Sequence, residues 1–584
     1  MNRRALTFFL AAIAIAHAHA YVLNLDSASQ PRRWAFYSTP YYISTNVINT
    51  NTHAVRYYLA SDAYSTTNTA AELNAVRASF GQWTAITNTS IKFEEPGLVA
   101  PPVDANTYDN SNIVYWAKSS TLVASNTYDI TGTLGFTVIS WYPSPESNYI
   151  AQADIVFNGV NFTWFTDIAD TNTTKQFVEG VALHEIGHFL GLAHSPLGGA
   201  SMFWRGGGGV NTQTGLSPDD ISAARILYPA SALTNLGTLK GTITKSGSPV
   251  LGAAVYLETT GSNVIAATVS RSDGTYQLNA LTPGNYFVRA APLDAYVSPR
   301  LAAGPDISSD FNSADTSFLP TANTSVTLTA NTTNTVDFAV TSGTPAFRIT
   351  RIRTPTTTSG AYSINSTPVS LRAGQSNYFV SVFSADLPTS GATFTISGDG
   401  LTLGSPSYQP GTVFVGLNGI SMSISVSSNA TPGLRDFIVT QGANVAYANG
   451  FFEVLATNMD YNFDGFDDVF QRTYFAPWTS TNAAPAADPD HDGYNNYAEF
   501  ISGTVPTNSA SYLKVLSTTT TGSGTTVKWT GSAGKRYQLT SRTNMASAPW
   551  QNLGGVFTAS NSAPQFLDTS ATNGMRFYRV QALP

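Results

Sequence analysis

The eleven residues from His184 to His194 read H-E-I-G-H-F-L-G-L-A-H, and this spacing constrains the fold more than any other feature of the chain. His184 and His188 are four residues apart, so on a helix they lie on one face, one turn from each other. Gly191 lets the chain leave that helix, since glycine adopts a positive φ at little cost. The turn that follows can bring His194 back to the same point. The pattern therefore predicts a helix, a sharp turn and three converging imidazoles.

Three neutral imidazoles arranged in this way suit a zinc ion, which binds histidine nitrogen at about 2.0–2.1 Å. The fourth position then stays open for water and substrate, as a catalytic site requires. Glu185 adjoins the first histidine and faces the open side, where a carboxylate can deprotonate a water molecule. A bare H-E-x-x-H arises by accident, but the chain has seven histidines and three of them lie in this window. We predict that His184, His188 and His194 bind zinc and that Glu185 is the general base.

The longer pattern H-E-x-x-H-x-x-G-x-x-H, followed by a methionine turn, resembles the metzincin signature. Met202 supplies that methionine, and in the family it forms an apolar floor under the zinc. Ser195 directly after the third histidine resembles the matrixin branch, and Leu216–Ile221 resembles the start of the last matrixin helix. The resemblance covers about Trp34–Pro229. It implies an α+β catalytic domain, a twisted sheet plus helices, that hydrolyses peptide bonds.

Further elements of this domain follow from local pattern. Leu134–Thr137 and Ala153–Asn158 read as strands that border the cleft. Ser217 is predicted to cap the last helix, with Asp219 and Asp220 in its first turn, where the helix dipole favours carboxylates. A long first helix is predicted by four apolar residues at helical spacing, namely Leu73, Val76, Phe80 and Trp83.

Two departures from vertebrate matrixins narrow what the resemblance implies. Those enzymes carry a second, structural zinc site built partly from histidines, but this chain has no histidine between Thr137 and Asp154. They also stay latent through a prodomain cysteine, and this chain has no cysteine at all. Only a short stretch precedes the first predicted strand, Tyr41–Ser44. We therefore expect activity without removal of a prodomain.

Composition indicates an exported, β-rich protein of several domains. A chain of 584 residues suggests about four or five domains. Charged residues make up 11% of the chain, and the net charge of −7 is spread without a basic stripe. Nucleic acid is therefore not an expected partner.

The first twenty residues resemble a secretory signal peptide, with the mature chain starting at Tyr21. Asn2–Arg4 is a positive segment, Ala5–Ala16 is an apolar run, and Ala18–Ala20 is an A-x-A cleavage site. The alternative is an N-terminal anchor helix, although the apolar run is short for a bilayer. No later stretch is long and apolar enough to span a membrane. The predicted location is secreted or extracellular, and the catalytic domain occupies residues 21–230.

Beyond that domain the pattern predicts β-sandwich modules, since short alternating apolar runs are separated by Gly, Pro and Asn turns. Residues 236–341 resemble a carboxypeptidase-regulatory-like sandwich, on the evidence of Asp273–Tyr276 and Leu281–Tyr286. Residues 346–456 vaguely resemble an immunoglobulin-like or IPT-like domain. Residues 511–584 read as a small β-domain. These modules are candidates for contact with cell-surface or matrix components.

Residues 458–506 carry a second metal motif. Asp488–Glu499 matches a twelve-residue EF-hand loop, with glycine at position 6 for the sharp turn. The predicted calcium ligands are Asp488, Asp490, Asp492, the carbonyl of Tyr494, Asn496 and Glu499. A first loop offers Asp460, Asn462, Asp464, the carbonyl of Phe466 and Asp468. It ends on Gln471 instead of glutamate, so it lacks a bidentate carboxylate and should bind calcium more weakly.

Both loops resemble dockerin-type or thrombospondin-type-3-like calcium repeats. A dockerin would imply a cohesin partner, but no matching recognition-helix pattern is present, which favours a plain structural calcium module. The alternative is a pair of acidic, solvated loops. The whole chain is thus predicted to be multidomain, with an α+β catalytic domain, several β-sandwich modules and a calcium-loop module.

Two functions remain open from the sequence. The first is a secreted zinc endopeptidase that acts on protein or peptide substrates held by an edge strand near the site. The second is a non-catalytic surface adhesin or matrix-binding protein whose metzincin domain is inactive. The intact Glu185 favours the peptidase, because an inactive copy has no need of the general base.

Overall fold

The computed structural model describes residues 22–26, 30–35, 44–106, 109–142, 148–170, 174–204, 208–209, 212–230, 233–293, 311, 313–354, 369–414, 416–546, 549–571 and 575–584. The predicted signal peptide and most of the predicted strand Tyr41–Ser44 lie outside these residues. The chain forms two compact units, Met1–Thr69 with Ile86–Ala456, and Ala70–Ala85 with Thr457–Pro584.

The region up to Pro229 mixes helices with short strands. The helices are α1 (Thr69–Ala85), α2 (Val178–Phe189) and α3 (Pro218–Leu227), with a 3₁₀ turn at Thr212–Thr214. The strands are β1 (Val55–Arg56), β2 (Tyr58–Ala60), β3 (Phe93–Glu94), β4 (Leu98–Val99), β5 (Ile113–Ala117), β6 (Leu122–Val123), β7 (Tyr128–Asp129), β8 (Gly135–Trp141), β9 (Ile150–Asn158), β10 (Trp164–Phe165) and β11 (Gln176–Phe177).

The central sheet of this region has the strand order β4-β2-β5-β9-β8. Its pairs are parallel except for β8, which runs antiparallel to β9 at the edge. All five residues of β5 are buried, as expected for an inner strand covered on both faces. The two strands predicted to border the cleft are present as β8 and β9.

The predicted helices are also present. Leu73, Val76, Phe80 and Trp83 are all buried on α1. Ser217 caps α3 through a reciprocal capping box, in which its hydroxyl accepts from Asp220 N–H and its own N–H donates to Asp220 Oδ2. Both features confirm expectations drawn from the residue pattern.

The elements named between Pro229 and residue 455 in the described part of the chain are strands. The strands of residues 237–340 are β12 (Gly237–Lys245), β13 (Ser248–Pro249), β14 (Ala253–Thr259), β15 (Val264–Val269), β16 (Thr275–Leu281), β17 (Gly284–Pro292), β18 (Thr324–Leu328), β19 (Thr333–Thr335) and β20 (Phe338–Val340). Those of residues 351–455 are β21 (Arg351–Arg353), β22 (Val369–Arg372), β23 (Tyr378–Ser384), β24 (Thr393–Ile396), β25 (Leu401–Leu403), β26 (Ser407–Phe414), β27 (Leu417–Val426), β28 (Gly433–Gln441) and β29 (Asn444–Leu455).

One sheet runs through both predicted sandwich modules. Its order is β18-β17-β14-β15-β28-β29-β22, with β24 also paired to β28. The join is the antiparallel pair of β15 and β28, where Val264 lies opposite Leu434. Residues 236–341 and 346–456 are therefore linked by backbone hydrogen bonding as well as by sequence.

Besides nearly all of α1, the second unit contains two short helices and a small β-domain. The helices are α4 (Asp468–Tyr474) and α5 (Asn496–Ser502), with a 3₁₀ turn at Thr481–Ala483. The strands are β30 (Val515–Thr521), β31 (Gly524–Trp529), β32 (Arg536–Arg542), β33 (Gln551–Thr558), β34 (Gln565–Asp568) and β35 (Phe577–Leu583). Their core contains Trp529. No helix in the described part of the chain is long and apolar enough to cross a membrane.

Candidate metal centres

The three histidines of the motif converge on one point. His184 and His188 lie one turn apart on α2, with ring centroids 4.7 Å apart. The His194 ring lies 5.2 Å from that of His184 and 4.8 Å from that of His188. One nitrogen from each ring falls within 4.8 Å of the others. This donor set fits a zinc ion, whose ligands include imidazole nitrogens in a compact tetrahedral arrangement.

The turn between the second and third histidines depends on Gly191. Its φ is +98°, a conformation that side-chain-bearing residues rarely adopt. A Cβ atom there would also lie 2.1 Å from the carbonyl oxygen of Arg32. The predicted positive φ of this glycine is therefore present, and the close approach of the N-terminal segment is a second reason for glycine here.

Backbone carbonyls orient two of the imidazoles. His184 Nδ1–H donates to the carbonyl of Ser201 at 2.7 Å, and His188 Nδ1–H donates to that of Leu192 at 2.8 Å. A carbonyl only accepts, so the proton resides on Nδ1 and Nε2 keeps its lone pair. Burial lowers the pKa of both rings, that of His184 to about 3 with a contribution from His188. Both rings are therefore neutral at ordinary pH, as metal binding requires.

Glu185 is buried beside this centre, with 4% of its surface exposed. The Thr137 hydroxyl on β8 lies 2.6 Å from Glu185 Oε2 and donates to it. Burial raises the pKa of Glu185 to about 7, while the Thr137 hydrogen bond acts in the opposite direction. A Cβ atom on Gly135 would lie 2.7 Å from Glu185 Oε1, so β8 passes close to the carboxylate because it has glycine there. The result is a carboxyl group that can both accept and release a proton near neutral pH.

Met202 lies in a tightly held loop after the third histidine and is 2% exposed. Its carbonyl accepts from Ser195 N–H at 2.8 Å. The Asp220 carboxylate accepts from Ser201 N–H at 2.8 Å and from Met202 N–H at 3.1 Å. Sequence reasoning placed Asp220 only in the first turn of a helix. In the structure it also holds the methionine turn.

Two other contributors were missed. The residue pattern predicts Thr137 only as part of a strand, and its contact with the Glu185 carboxylate depends on the register of β8. The pattern gives the N-terminal segment no role, but Val22 O accepts from Ala193 N–H at 2.9 Å, and Asn24 N–H donates to Gly191 O at 3.0 Å. Nothing in a local pattern could have paired residues so far apart in sequence.

The acidic loop Asp488–Glu499 collects oxygen atoms that lack hydrogen-bond partners. Within the described residues, one buried oxygen of each side chain at loop positions 1, 3, 5, 9 and 12 has no partner, namely Asp488 Oδ1, Asp490 Oδ2, Asp492 Oδ2, Asn496 Oδ1 and Glu499 Oε2. Gly493 has a φ of +94°, as the sharp turn requires. Burial, and then the neighbouring aspartates, raise the pKa of Glu499 to about 7. Buried polar atoms are normally paired, so this group fits a cation.

The first acidic loop has a different interior. Asp464 Oδ2 accepts from the side-chain amides of Asn462 at 3.0 Å and Gln471 at 2.8 Å. The Gln471 oxygen in turn accepts from Asn462 Nδ2 at 3.1 Å. The Asp468 Oδ1 atom is buried without a partner among the described residues, and burial raises the pKa of Asp468 to about 7. Amide donors therefore occupy oxygen atoms that a cation would need.

Family comparisons agree with the motif. Residues 49–229 match the model of the matrixin family, and residues 238–298 match that of the carboxypeptidase regulatory-like domain. The chain therefore carries a matrixin-like region followed by a carboxypeptidase-regulatory-like one, as the sequence resemblance indicated. No curated protein matches the chain.

Similar solved structures give only low TM-scores. The minor pilin GBS52 of Streptococcus agalactiae is 14% identical over 19% of this chain, with a TM-score of 0.13, and the match spans 45% of that pilin. A 5-hydroxyisourate hydrolase of Klebsiella pneumoniae is 19% identical over 18% of this chain and 86% of its own, with a TM-score of 0.13. The major pilin BcpA of Bacillus cereus is 8% identical over 57% of this chain and 84% of its own, with a TM-score of 0.14. At these scores the likenesses carry no argument about function.

Proposed function

We propose that this protein is a zinc-dependent endopeptidase that cleaves extracellular proteins or peptides. The observation that carries the proposal is the convergence of His184, His188 and His194 next to the buried carboxyl group of Glu185. The match of residues 49–229 to the matrixin family supports a metalloprotease. The neutral state of the two buried rings on α2 supports metal binding in particular.

Each group has a chemical task in this proposal. The three histidines would hold the zinc ion, which when bound would supply Lewis acidity toward the scissile carbonyl and the attacking water. Glu185 accepts a proton from that water and returns it to the leaving amine nitrogen. A pKa of about 7 suits this exchange, because both protonation states are then accessible near neutral pH. Thr137 fixes the orientation of the carboxylate through its hydroxyl.

The edge strand β8 is the proposed substrate platform. Within the described residues it has a strand neighbour on one side only, which is β9. Its free edge can accept an extended peptide through main-chain hydrogen bonds. Thr137 on β8 contacts Glu185, so a peptide paired along this strand passes the general base.

The proposal is tested by incubating the purified chain, starting at Tyr21, with a peptide library in the presence of zinc and then of a chelator. We expect cleavage with zinc, loss on chelation and recovery on zinc addition. A protein with full zinc content that cleaves no peptide and no unfolded protein would contradict the proposal and favour the non-catalytic adhesin.

We also propose that Asp488–Glu499 binds a calcium ion. The five unpartnered oxygen atoms stand at the positions where an EF-hand loop presents its side-chain ligands. The carbonyl of Tyr494 would complete this set. The first loop is proposed to bind calcium more weakly, because Gln471 stands where the second loop has Glu499.

We further infer that the chain is exported, from the signal-like pattern of residues 1–20. The β-modules are then candidates for contact with a cell surface or matrix. Fractionation of the producing cells and N-terminal sequencing test this inference, with Tyr21 as the expected first residue. Retention of the full chain in the cytoplasm would contradict it.

A further inference from the structure

The loop that follows the third histidine is buried against strands of the sandwich region. Leu197, Ala200 and Phe203 are each 1% exposed or less. The Phe203 ring meets that of Phe451 on β29 edge-on, with centroids 5.4 Å apart. Gly198 N–H donates to the carbonyl of Asn449, also on β29, at 3.1 Å. Residues 248 to 251 positions apart thus share one core.

Glycines on both sides make this approach possible. A Cβ atom on Gly198 would lie 2.7 Å from the Phe451 ring, and one on Gly199 would lie 2.2 Å from Leu434 on β28. A Cβ atom on Gly450 would lie 2.3 Å from Leu197. Real Cβ atoms do not come so close to other heavy atoms, because tightly packed interiors leave no room for an added methyl group. A methyl group added at any of these three glycines would therefore force the facing side chain, Phe451, Leu434 or Leu197, to move.

A buried ionic cluster holds the strand side of this contact. Arg289 on β17 is completely buried, and its Nε donates to Glu258 on β14 at 2.9 Å. Its Nη2 pairs with Asp436 on β28 and donates to Asn449 Oδ1 at 2.7 Å. Asp436 Oδ1 accepts from Gly450 N–H at 2.7 Å. Buried charges are costly unless fully paired, so removing any member would disturb Asn449 and Gly450.

The same loop is also connected to two predicted zinc ligands, His184 and His194. The carbonyl of Ser201, three residues after Gly198, is the acceptor that orients His184. Ser195, directly after His194, donates its hydroxyl to Asp219 Oδ2 at 2.7 Å. The other oxygen of Asp219 accepts from Ala267 N–H on β15, also at 2.7 Å. The Ser195 end of the loop is therefore tied to β15 through Asp219, and the middle of the loop is tied to β29 through Gly198, three residues before the carbonyl that orients His184.

We propose that the paired sandwich strands are a working part of the metal centre, in which Asn449 and Gly450 on β29 position the loop that orients His184 and His194. This inference rests on the proposed zinc site. It means that residues 21–230 do not make a complete metal centre by themselves. Gly450 is a positioning residue in this scheme, because it touches neither metal nor substrate.

The test compares two glycine-to-alanine variants of the full chain. Gly450 and Gly442 have nearly the same backbone angle, with φ values of +63° and +60°, so alanine meets the same backbone strain at both. Only Gly450→Ala adds a methyl group against Leu197, because a Cβ atom on Gly442 would have open space around it. Gly442→Ala is therefore a matched control.

The readouts are the affinity for zinc and the visible absorption spectrum of the cobalt-substituted protein, which reports ligand geometry. We expect Gly450→Ala to shift the spectrum and to weaken zinc binding about 10-fold or more, the size typical when groups that orient metal ligands are changed. Gly442→Ala should match the wild type in both. Equal behaviour of the two variants, changed or unchanged, would overturn the inference.

A second variant covers the case in which Gly450→Ala does not fold. Gly198→Ala presses on Phe451 from the loop side without a positive φ, and Gly97→Ala, with open space around its Cβ, is its control. Cleavage is not a readout in either comparison. If the wild type binds cobalt but cleaves no substrate, the proposed function is wrong. The spectra of the variants then still decide whether the inference about the sandwich strands holds. A wild type that binds no metal would overturn both.

Discussion

The histidine centre and the second acidic loop place ligand atoms close together by opposite means. At His184–His194 the donors are imidazole rings, and burial lowers the pKa values of His184 and His188, so the close packing of these two rings brings no repulsion between charges. At Asp488–Glu499 most donors are carboxylates, and burial with neighbouring charge raises the pKa of Glu499. The first arrangement carries little repulsion between these two rings without a metal, whereas a cation or a proton would relieve repulsion in the second. We therefore expect metal to affect mainly activity at the first centre and mainly stability at the second.

Replacing Glu185 by alanine gives the largest expected effect. Peptidase activity should fall by about 10²–10⁴ or more, because a positioned general base contributes that much to the rate. Zinc content should stay unchanged, since Glu185 is not one of the three ligands. Activity on a peptide substrate and zinc content by atomic emission check both statements.

Glu185→Gln is the matched companion, since it keeps the shape of the side chain and an acceptor for Thr137. It should be as inactive as the alanine variant. Activity near that of the wild type in either variant, at full zinc content, would show that Glu185 is not the base.

Glu499→Gln tests the second centre. A ligand that binds only the native state stabilises it by about 2.7 kcal/mol at a concentration 100 times its Kd. Calcium should therefore raise the melting temperature of the corresponding calorimetric transition in the wild-type chain, and Glu499→Gln should remove most of that rise. If calcium does not change this transition in the wild type, and calcium titration releases no heat, the loop does not bind calcium and is an ordinary acidic turn.

Gln471→Glu should bring the calcium affinity of the first loop closer to that of the second. We expect a smaller effect than that of Glu499→Gln. The substitution removes the amide that donates to Asp464 and supplies a carboxylate at position 12. Calcium titration should then detect tighter binding at this loop and a larger calcium-dependent rise in melting temperature. An affinity equal to that of the wild type would mean that the residue at position 12 does not explain the difference between the loops.

Trimming the N-terminal segment should give no gain in activity. The chain has no cysteine that could block a zinc ion. Val22 and Asn24 form backbone hydrogen bonds with the turn between His188 and His194, at Ala193 and Gly191. Protein that starts at Tyr21 should therefore be active as it stands, and removal of residues 21–30 should lower activity. If activity appears only after such trimming, the segment is a latency device and this prediction is wrong.

Most of the local geometry of the two centres could be predicted from short sequence motifs. The helix of His184 and His188, the turn at Gly191 and the cap at Ser217 depend on residues close in sequence, so their geometry follows from helix period and backbone preference. The same holds for Gly493 in the second acidic loop. Each of these positions has the conformation that its pattern predicts.

Contacts between distant segments could not be predicted in the same way. Asp220 reads as a helix-start carboxylate, but its second role depends on where Ser201 and Met202 lie. The predicted boundary near residue 341 follows composition, whereas the pairing of Val264 with Leu434 carries one sheet across it. Strand register and pairing arise from the packing of the whole unit, and a periodic pattern identifies a strand without identifying its neighbour.

The residue order alone fixes which groups come together in the two candidate metal centres, since the histidine spacing, the adjacent glutamate and the oxygens of the second acidic loop are local and depend on backbone geometry within a dozen residues. How these groups are held depends on the tertiary structure. The contact of Gly198 with Asn449, the burial of Arg289 between Glu258 and Asp436, and the link from Ser195 through Asp219 to Ala267 join residues far apart in the chain. Such contacts form because close packing and the pairing of buried charge are satisfied by the whole fold at once.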